Sequence, residues 1–169
     1  HQAKINKQWN HNYKIFETVK QLSAYDDLVY LQTNPVGPIS SRDQLQARHW
    51  RPYQKNGYAV SVASVDWKKY PQASGCVRAY TPPGGGFVLT PIEGQPSKCR
   101  MVNFMCADIK GWVPRSVLET TLGGALFNFY TKVVPAALEK YADMTEEDAR
   151  AYVDGLLALQ HSPPAAPAE

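Results

Sequence analysis

Histidines and adjacent carboxylates are the side chains of this sequence best suited to acid–base or metal chemistry. The chain has four histidines: His1, His11, His49 and His161. No two of them have the i, i+4 spacing of a helical metal site. Two pairs of acids, Asp26-Asp27 and Glu146-Glu147, lie at a predicted turn and a predicted helix start, where solvated and capping roles are ordinary. The sequence also lacks a GxSxG elbow, a P-loop and a GxGxxG motif. We therefore expect no enzymatic activity, no metal site and no cofactor.

Three cysteines and a small positive charge bear on the setting of this protein. Cys76, Cys99 and Cys106 are odd in number and form no CxxC pair, so we expect reduced core residues in a cytosolic protein. The net charge is +3, and the basic residues are scattered along the chain. Scattered charge does not track a phosphate backbone, so we expect no nucleic-acid partner. It does suit loose contact with an anionic membrane surface, with an ordinary solvated surface as the alternative.

Seven segments rich in β-branched, aromatic and aliphatic residues predict strands. They span residues 13–19, 28–33, 43–51, 58–66, 76–81, 87–92 and 98–108. Most spacers are short and rich in turn-forming residues, and Gly84-Gly85-Gly86 is interpreted as a flexible turn. Because parallel strands need crossovers of about a dozen residues, the predicted sheet is an antiparallel meander. The loop at 34–41 contains two prolines and a glycine and should be exposed, with Val36 and Ile39 at its tip.

A long helix is predicted after Pro114, which suits a first helical turn. Its apolar residues recur with a period near 3.6, namely Leu118, Leu122, Ala125, Phe129 and Val133. Within it, Gly123-Gly124 implies close backbone approach or local flexibility, and Pro135 should kink or end the helix. A second helix is predicted from a Thr145 N-cap to about Leu159. The Pro- and Ala-rich tail at 161–169 should be disordered.

Four short motifs, in this order and spacing, resemble START (StAR-related lipid transfer) domains over residues 9–141. They are Ser41-Arg42-Asp43, Gly75-Cys76-Val77-Arg78-Ala79, Gly94-Gln95-Pro96-Ser97-Lys98 and Asp108-Ile109-Lys110-Gly111-Trp112-Val113-Pro114 followed by a helix. The resemblance implies an α+β helix-grip fold, in which a curved antiparallel β-sheet wraps around a long C-terminal α-helix. The domain would span residues 1–142, with an additional helix at 143–160. The amino-terminal helix and about three first strands of the family would be absent, so a missing segment or a partner chain would complete the sheet.

The resemblance also implies which residues bind lipid and which open the cavity. Ten residues would contact the ligand: Gln32, Arg48 and Asn103 near its polar head, Val60, Val62, Met101 and Met105 along its apolar body, and Leu122, Ala125 and Phe129 on the helix. The gate that opens at the membrane would include Val36, Ile39, Trp112, Gly123 and Gly124. Trp112 has the alternative of simply packing the start of the helix.

One departure from the family concerns the cavity arginine. In the sterol carriers this arginine has an acidic partner, and that position aligns without gaps with Val29. Arg48 would then meet a phosphate or sulfate head group, or Asp43 and water would compensate its charge. A surface position for Arg48 is the alternative.

The resemblance therefore implies a non-catalytic protein that binds one lipid, a sterol or a phospholipid, and carries it between membranes. The protein would be cytoplasmic and transiently membrane-associated. The alternative is a lipid-sensing regulatory or interaction module of a larger protein.

Overall fold

In the part of the chain that the structure describes, seven β-strands form one sheet, and a long helix follows them. The computed structural model describes residues 12–54, 56–140, 142–145, 147–148 and 151. The strands are β1 Tyr13–Gln21, β2 Asp26–Thr33, β3 Arg42–Tyr53, β4 Gly57–Ser64, β5 Val77–Arg78, β6 Gly85–Ile92 and β7 Gln95–Phe104. Their order is β1-β2-β3-β4-β6-β7, and every pair along this path is antiparallel. The predicted antiparallel meander is thus confirmed along this path.

The fifth strand departs from the prediction. It is only two residues long, and it pairs in parallel with the start of β3, Arg42 opposite Val77 and Asp43 opposite Arg78. The predicted strand at 76–81 was therefore too long, and the antiparallel prediction was wrong for this pair. Because β4 pairs with β3 only from Gln46 onward, the first part of β3 has a free side for this short strand.

The interpretation of Gly84-Gly85-Gly86 as a flexible turn was wrong for its last two residues, because Gly85 and Gly86 begin β6. Gly86 has φ +146°, and a Cβ there would lie 2.0 Å from the carbonyl oxygen of Val60. Glycine is needed at this position because the neighbouring strand leaves no room for a side chain.

Strand register divides the side chains between two faces of the sheet, since directly paired residues point to the same side. We call one the groove face; it carries Arg48, paired with Asp27 on β2 and with Val62 on β4. The other is the outer face, on which Tyr30 pairs with Leu45 and Gln32 with Asp43. Alternation then assigns Val29, Leu31, Gln44 and Gln46 to the groove face. The assignment extends across the sheet through Val60, Phe87 and Asn103, which pair in a row.

A buried carboxylate organises the outer face. Asp43 is fully buried and accepts hydrogen bonds from the Tyr30 hydroxyl at 3.1 Å and from the Ala73 amide at 2.8 Å. Arg78 donates two more, at 3.1 and 2.9 Å. A buried charge is tolerated only when it is paired and hydrogen-bonded, and here both conditions hold. This cluster, together with buried Leu45, fixes the segment before β5 against the sheet.

The helix begins after Pro114 as α1, Arg115–Asn128, and continues through a π-helical turn, Phe129–Val133, into α2, Val134–Lys140. It does not end at Pro135. The amide of Val134 donates to the carbonyl of Phe129, five residues back, so the helix is wider just before the proline. A proline ring clashes with the carbonyl four residues earlier, and a π-helical turn is a recognised way for a helix to absorb such an irregularity.

Two further expectations meet corrections. A Cβ at Gly123 or Gly124 would have nothing within 4 Å, so close backbone approach does not explain these glycines. Cys76 is buried as expected, but Cys99 and Cys106 are exposed. The expectation of a core position was wrong for both, because Cys99 lies on β7 at the end of the strand order and Cys106 follows it.

The chain beyond α2 is described only in part. Thr145 forms the expected cap, since its hydroxyl accepts a hydrogen bond from the Asp148 amide at 3.1 Å and donates one to the Asp148 carboxylate at 2.6 Å. Most of the helix predicted to reach Leu159, and the tail at 161–169, lie outside the described residues. In the described part, no helix is both long enough and apolar enough to span a bilayer.

Candidate functional site: an apolar groove between the sheet and the helix

A groove of about 410 Å³ lies where the end of β7, the 34–41 loop and α1 meet. This volume is within the range of ligand pockets, roughly 300–1,000 Å³. Its lining is mainly apolar, and includes Val36, Ile39, Asn103, Met105, Ile109, Leu118, Leu122, Ala125, Leu126 and Phe129. Five of the predicted ligand contacts, Asn103, Met105, Leu122, Ala125 and Phe129, come together here. The periodicity of the helix explains this, because residues at i, i+4, i+7 and i+11 share one face.

The helix rests lightly on the sheet. No residue of α1 is buried, and Leu122 in the groove lining is 39% exposed. Val133, in the π-helical turn, is 5% exposed and is thus the anchor of the helix in the core. The apolar face of α1 therefore borders open space instead of packed side chains. Such an apolar concavity is typical of a ligand-binding groove.

Arg48 has an acidic partner after all. Its Nε donates to Asp27 Oδ1 at 2.8 Å and its Nη2 to Asp27 Oδ2 at 2.5 Å, which is a bidentate pair. The Arg48 and Asp27 side chains are 19% and 13% exposed, so a surface position for Arg48 is wrong. The expectation that Asp43 compensates Arg48 is also wrong, because Asp43 lies on the outer face and binds Arg78. Asp27 and Val29 share the groove face, because they are two residues apart on β2. The acidic partner of Arg48 is therefore two residues before the position at which the alignment with the sterol carriers places it.

The ion pair lies at some distance from the groove along the same face. Arg42 lines the groove, and Arg48 is six residues further along β3, which corresponds to about 20 Å of strand. Between them, Gln44, Gln46 and Thr81 bond to one another, with Gln46 Nε2 donating to Gln44 Oε1 at 2.5 Å and to Thr81 Oγ1 at 3.2 Å. Along the groove face, the apolar groove is therefore followed first by these hydrogen-bonded polar side chains and then by the Arg48–Asp27 ion pair.

Four other predicted contacts can be placed from the register. Val60, Val62 and Met101 lie on the groove face with Arg48. Gln32 does not, because its pairing with Asp43 puts it on the outer face. There it is buried, and its Nε2 donates to Cys76 Sγ at 3.0 Å. Assigning Gln32 to the cavity was therefore wrong.

The predicted gate residues occupy three places: the 34–41 loop, the position before the helix, and the helix itself. Val36 and Ile39 exchange backbone hydrogen bonds of 2.9 and 3.0 Å around a tight turn, and Val36 is 53% exposed. Gly37 in this turn has φ +55°, which favours glycine. Trp112 is 90% exposed, so the alternative that it packs the helix start is wrong. Gly123 and Gly124 lie on α1 without lining the groove.

Sequence reasoning missed two residues of the site. Asp27 was assigned to a turn, although a carboxylate in alternation with Val29 and Leu31 was a signal for the groove face. Arg42 was noticed only as part of a motif, yet it lines the groove and is 7% exposed. A basic residue beginning a strand gives no sequence signal of such burial.

Comparisons with known proteins agree with this architecture. The family model described as START domain matches residues 1–142. Human StAR-related lipid transfer protein 6 is 29% identical over 123 residues, which are 72% of this chain and 56% of that protein. Bovine StAR-related lipid transfer protein 5 is 27% identical over 136 residues, covering 78% and 62% respectively. The chain therefore spans about three-fifths of the length of these relatives.

Solved structures show the same fold. Human StAR-related lipid transfer protein 5 superposes with a TM-score of 0.72 at 20% identity, over 80% of this chain and 64% of that one. Human STARD10 gives 0.69 at 21% identity, over 90% and 63%. The curved antiparallel sheet with a C-terminal helix is thus the helix-grip arrangement expected from the motifs. With a match to the family model along most of its length, this chain belongs to the START domain family.

Proposed function

We propose that this domain binds one lipid between α1 and the groove face and carries it between membranes without catalysing a reaction. The observation that carries the proposal is the apolar groove beneath a helix that has no buried residue of its own. A lipid chain there would gain about 0.8 kcal/mol for each CH₂ removed from water. That gain offsets extraction of the lipid from a bilayer, where its chain is equally shielded.

The Arg48–Asp27 pair supports an uncharged polar head group. The two side chains neutralise each other, yet the carboxylate oxygens retain lone pairs that accept a hydrogen bond from a hydroxyl. An anionic phosphate would have to displace Asp27 or lie against it, and like charges at close range are costly. Between the two lipid classes that the sequence left open, we therefore favour a sterol-like lipid over a phospholipid.

Contact with the membrane would use apolar residues near the groove mouth, of which Val36 and Trp112 are exposed and Ile39 is half-buried. Val36 and Ile39 form the loop turn, and Trp112 precedes the helix. Tryptophan suits a membrane interface because its ring is apolar and its N–H remains hydrated. Gly123 and Gly124 would let α1 bend as the groove opens, since no neighbour holds them. We propose a cytoplasmic protein that meets membranes transiently.

A further strand would complete the sheet at β7. Among the described residues β7 pairs only with β6, and Val102, Phe104 and Met105 at its end are 42%, 55% and 60% exposed. An apolar edge of this kind invites another strand or aggregates. We propose that an amino-terminal segment preceding this sequence, or a partner chain, covers the edge and adds a wall to the groove.

Transfer between liposomes tests the proposal. Donor vesicles would carry either a fluorescent sterol or a fluorescent anionic phospholipid, and arrival in acceptor vesicles would be followed over time. We expect the sterol to move faster, and we expect Asp27→Asn to shift the preference toward the phospholipid. Arg51→Gln, an exposed change on the same strand as Arg48, is the control and should change neither rate. If native mass spectrometry and transfer show neither lipid bound nor moved, the proposal fails.

A lipid-sensing module is the second candidate, and the light packing of α1 favours it. If the lipid mainly orders α1 for a partner to read, lipid should slow amide exchange along α1 while transfer stays at the rate without protein. Fast transfer with equal exchange in both states would favour the carrier instead.

A further inference from the structure

The segment that joins β7 to the helix is fixed at residues 108–111, which we call the pivot segment. The backbone of Asp108 exchanges two hydrogen bonds with that of Tyr80, at 2.8 and 2.7 Å. Lys110 and Gly111 then take left-handed conformations, with φ of +52° and +74°. The Lys110 amide donates to Asp108 Oδ1 at 2.9 Å, which closes this turn. The chain therefore leaves the sheet through a well-defined corner.

Arg42 ties this corner to the 34–41 loop. Its Nε donates to the carbonyl of Ile109 and its Nη2 to that of Lys110, both at 3.0 Å. Its Nη1 donates to the carbonyl of Ser40 at 2.6 Å and to the Ser40 hydroxyl at 3.0 Å. The side chain thus reaches two segments that are almost seventy residues apart in the sequence, 67 positions separating Arg42 from Ile109.

Only an arginine has the shape for these contacts. Its planar guanidinium presents five N–H donors in a fixed fork, whereas a lysine ammonium is a single point charge. At 7% exposure the guanidinium depends on its acceptors, since a buried charge without hydrogen bonds is costly. Gly111 is part of the arrangement, because its φ of +74° favours glycine and it follows Lys110, whose carbonyl accepts from Arg42 Nη2.

The helix is joined to this corner through Trp112, Val113 and Pro114. Pro114 is its N-cap and makes no side-chain capping hydrogen bond, and α1 has no buried residue. The pivot segment is held by Arg42 and Tyr80, whereas the chain after Pro114 is held weakly until Val133. Movement of α1 should therefore begin between the pivot segment and the start of the helix. A few residues at the end of an element are the usual site of a hinge.

We propose that Arg42 joins the 34–41 loop and the pivot segment into one rigid unit, from which α1 swings about residues 112–114. Arg42 is a positioning residue, because it acts through the two segments that border the groove mouth. The consequence for lipid exchange rests on the proposed function, but the mechanical coupling does not. Loop and pivot should lose their order together when Arg42 is removed.

Hydrogen–deuterium exchange without lipid tests the coupling directly. In Arg42→Gln we expect amide exchange to rise about 10- to 100-fold in peptides covering both 34–41 and 105–114, the range for losing hydrogen bonds to a charged group. Arg51→Gln is the matched control, an exposed arginine on the same strand, and should leave both regions unchanged. In Arg42→Lys we expect amide exchange in at least one of the two regions to rise less than it does in Arg42→Gln. A rise in one region alone in Arg42→Gln would refute the coupling.

Gly111→Ala changes the pivot segment instead of Arg42, and it provides a second test of the coupling if Arg42→Gln does not fold. An alanine is strained at the φ of +74° that Gly111 adopts, so the neighbouring Lys110 carbonyl should shift away from Arg42 Nη2 and exchange should rise at 34–41, far from the substitution in sequence. No change at 34–41 in folded Gly111→Ala would also refute the proposal. With lipid bound, we expect the variants that lose the coupling to release lipid about ten times faster than the wild type. Lipid transfer by the wild type is the control that shows a working groove. If the wild type moves no lipid but both exchange patterns appear, the proposed function fails and the coupling stands.

Discussion

The Arg48–Asp27 pair allows a quantitative test of the groove face. Replacing Asp27 with Asn keeps the shape of the side chain and removes its charge, which leaves the guanidinium of Arg48 without its counter-ion. Breaking a fully buried pair costs about 3–5 kcal/mol, and an exposed pair about 0–1 kcal/mol. With side chains 19% and 13% exposed, this pair lies between these limits, and we expect Asp27→Asn to lower the free energy of unfolding by about 2 kcal/mol.

For a domain of this length, that loss corresponds to a fall in Tm of about 4–8 °C. A double-mutant cycle with Arg48→Gln separates the pair from its surroundings, with each unfolding followed by circular dichroism in urea. Because the double variant has no unpaired charge, it should recover part of the loss, and we expect a coupling energy of about 1–2 kcal/mol. Additive effects within about 0.5 kcal/mol would show that the two side chains do not interact in solution, and the assignment of a neutralised pair would be wrong.

Three other substitutions test separate parts of the molecule. Leu122→Asp puts a charge into the groove and should weaken lipid binding at least about tenfold, whereas the same change at Phe127, 67% exposed and outside the groove lining, should not; equal effects in a titration with fluorescent lipid would contradict the site. Burial, followed by the charge of Asp43, raises the pKa of Tyr30 from 10.0 to about 12. Because this pKa is raised in the folded state, the stabilisation is complete below pH 10 and is lost as the pH rises to about 12. Urea midpoints should therefore fall more steeply over that range in the wild type than in Tyr30→Phe, and parallel curves would argue against the buried hydrogen bond. Gly86→Ala brings a Cβ within 2.0 Å of a carbonyl oxygen of β4, so we expect little folded protein; a stability within about 1 kcal/mol of wild type by urea unfolding would contradict this packing.

The alternation of strands made much of the groove face predictable. The rule that side chains two apart share a face places Gln44, Gln46 and Arg48 together from the sequence alone, and the register agrees. The same rule cannot say which residues of two different strands face each other, because that depends on the pairing. Gln32 was assigned to the cavity from the resemblance to the family, and its pairing with Asp43 puts it on the outer face instead.

Long-range contacts account for the features that the sequence did not reveal. A gapless alignment with the family places the acidic partner of Arg48 at Val29. A residue two positions away lies on the same face of the strand, so Asp27 can take that role, and only the folded structure shows that it does. Burial of Arg42 depends on carbonyls 67 and 68 residues away, which no local pattern encodes. In Gly86, the need for glycine arises from the closeness of β4, so a local interpretation as a turn was the natural error.

The two faces of the sheet differ in how their stability is obtained, and this difference links the fold to lipid binding. On the outer face Asp43, Arg78 and Tyr30 satisfy one another around buried Leu45, so this side is complete without a ligand. On the groove face the apolar side chains of α1 border open space, and packing there is incomplete until something fills it. A lipid would therefore act as part of the core, and it should stabilise the fold by about 2.7 kcal/mol at a free concentration about one hundred times its Kd. Because this gain arises on the groove face, it should be lost in Leu122→Asp and retained when Tyr30→Phe weakens the outer face.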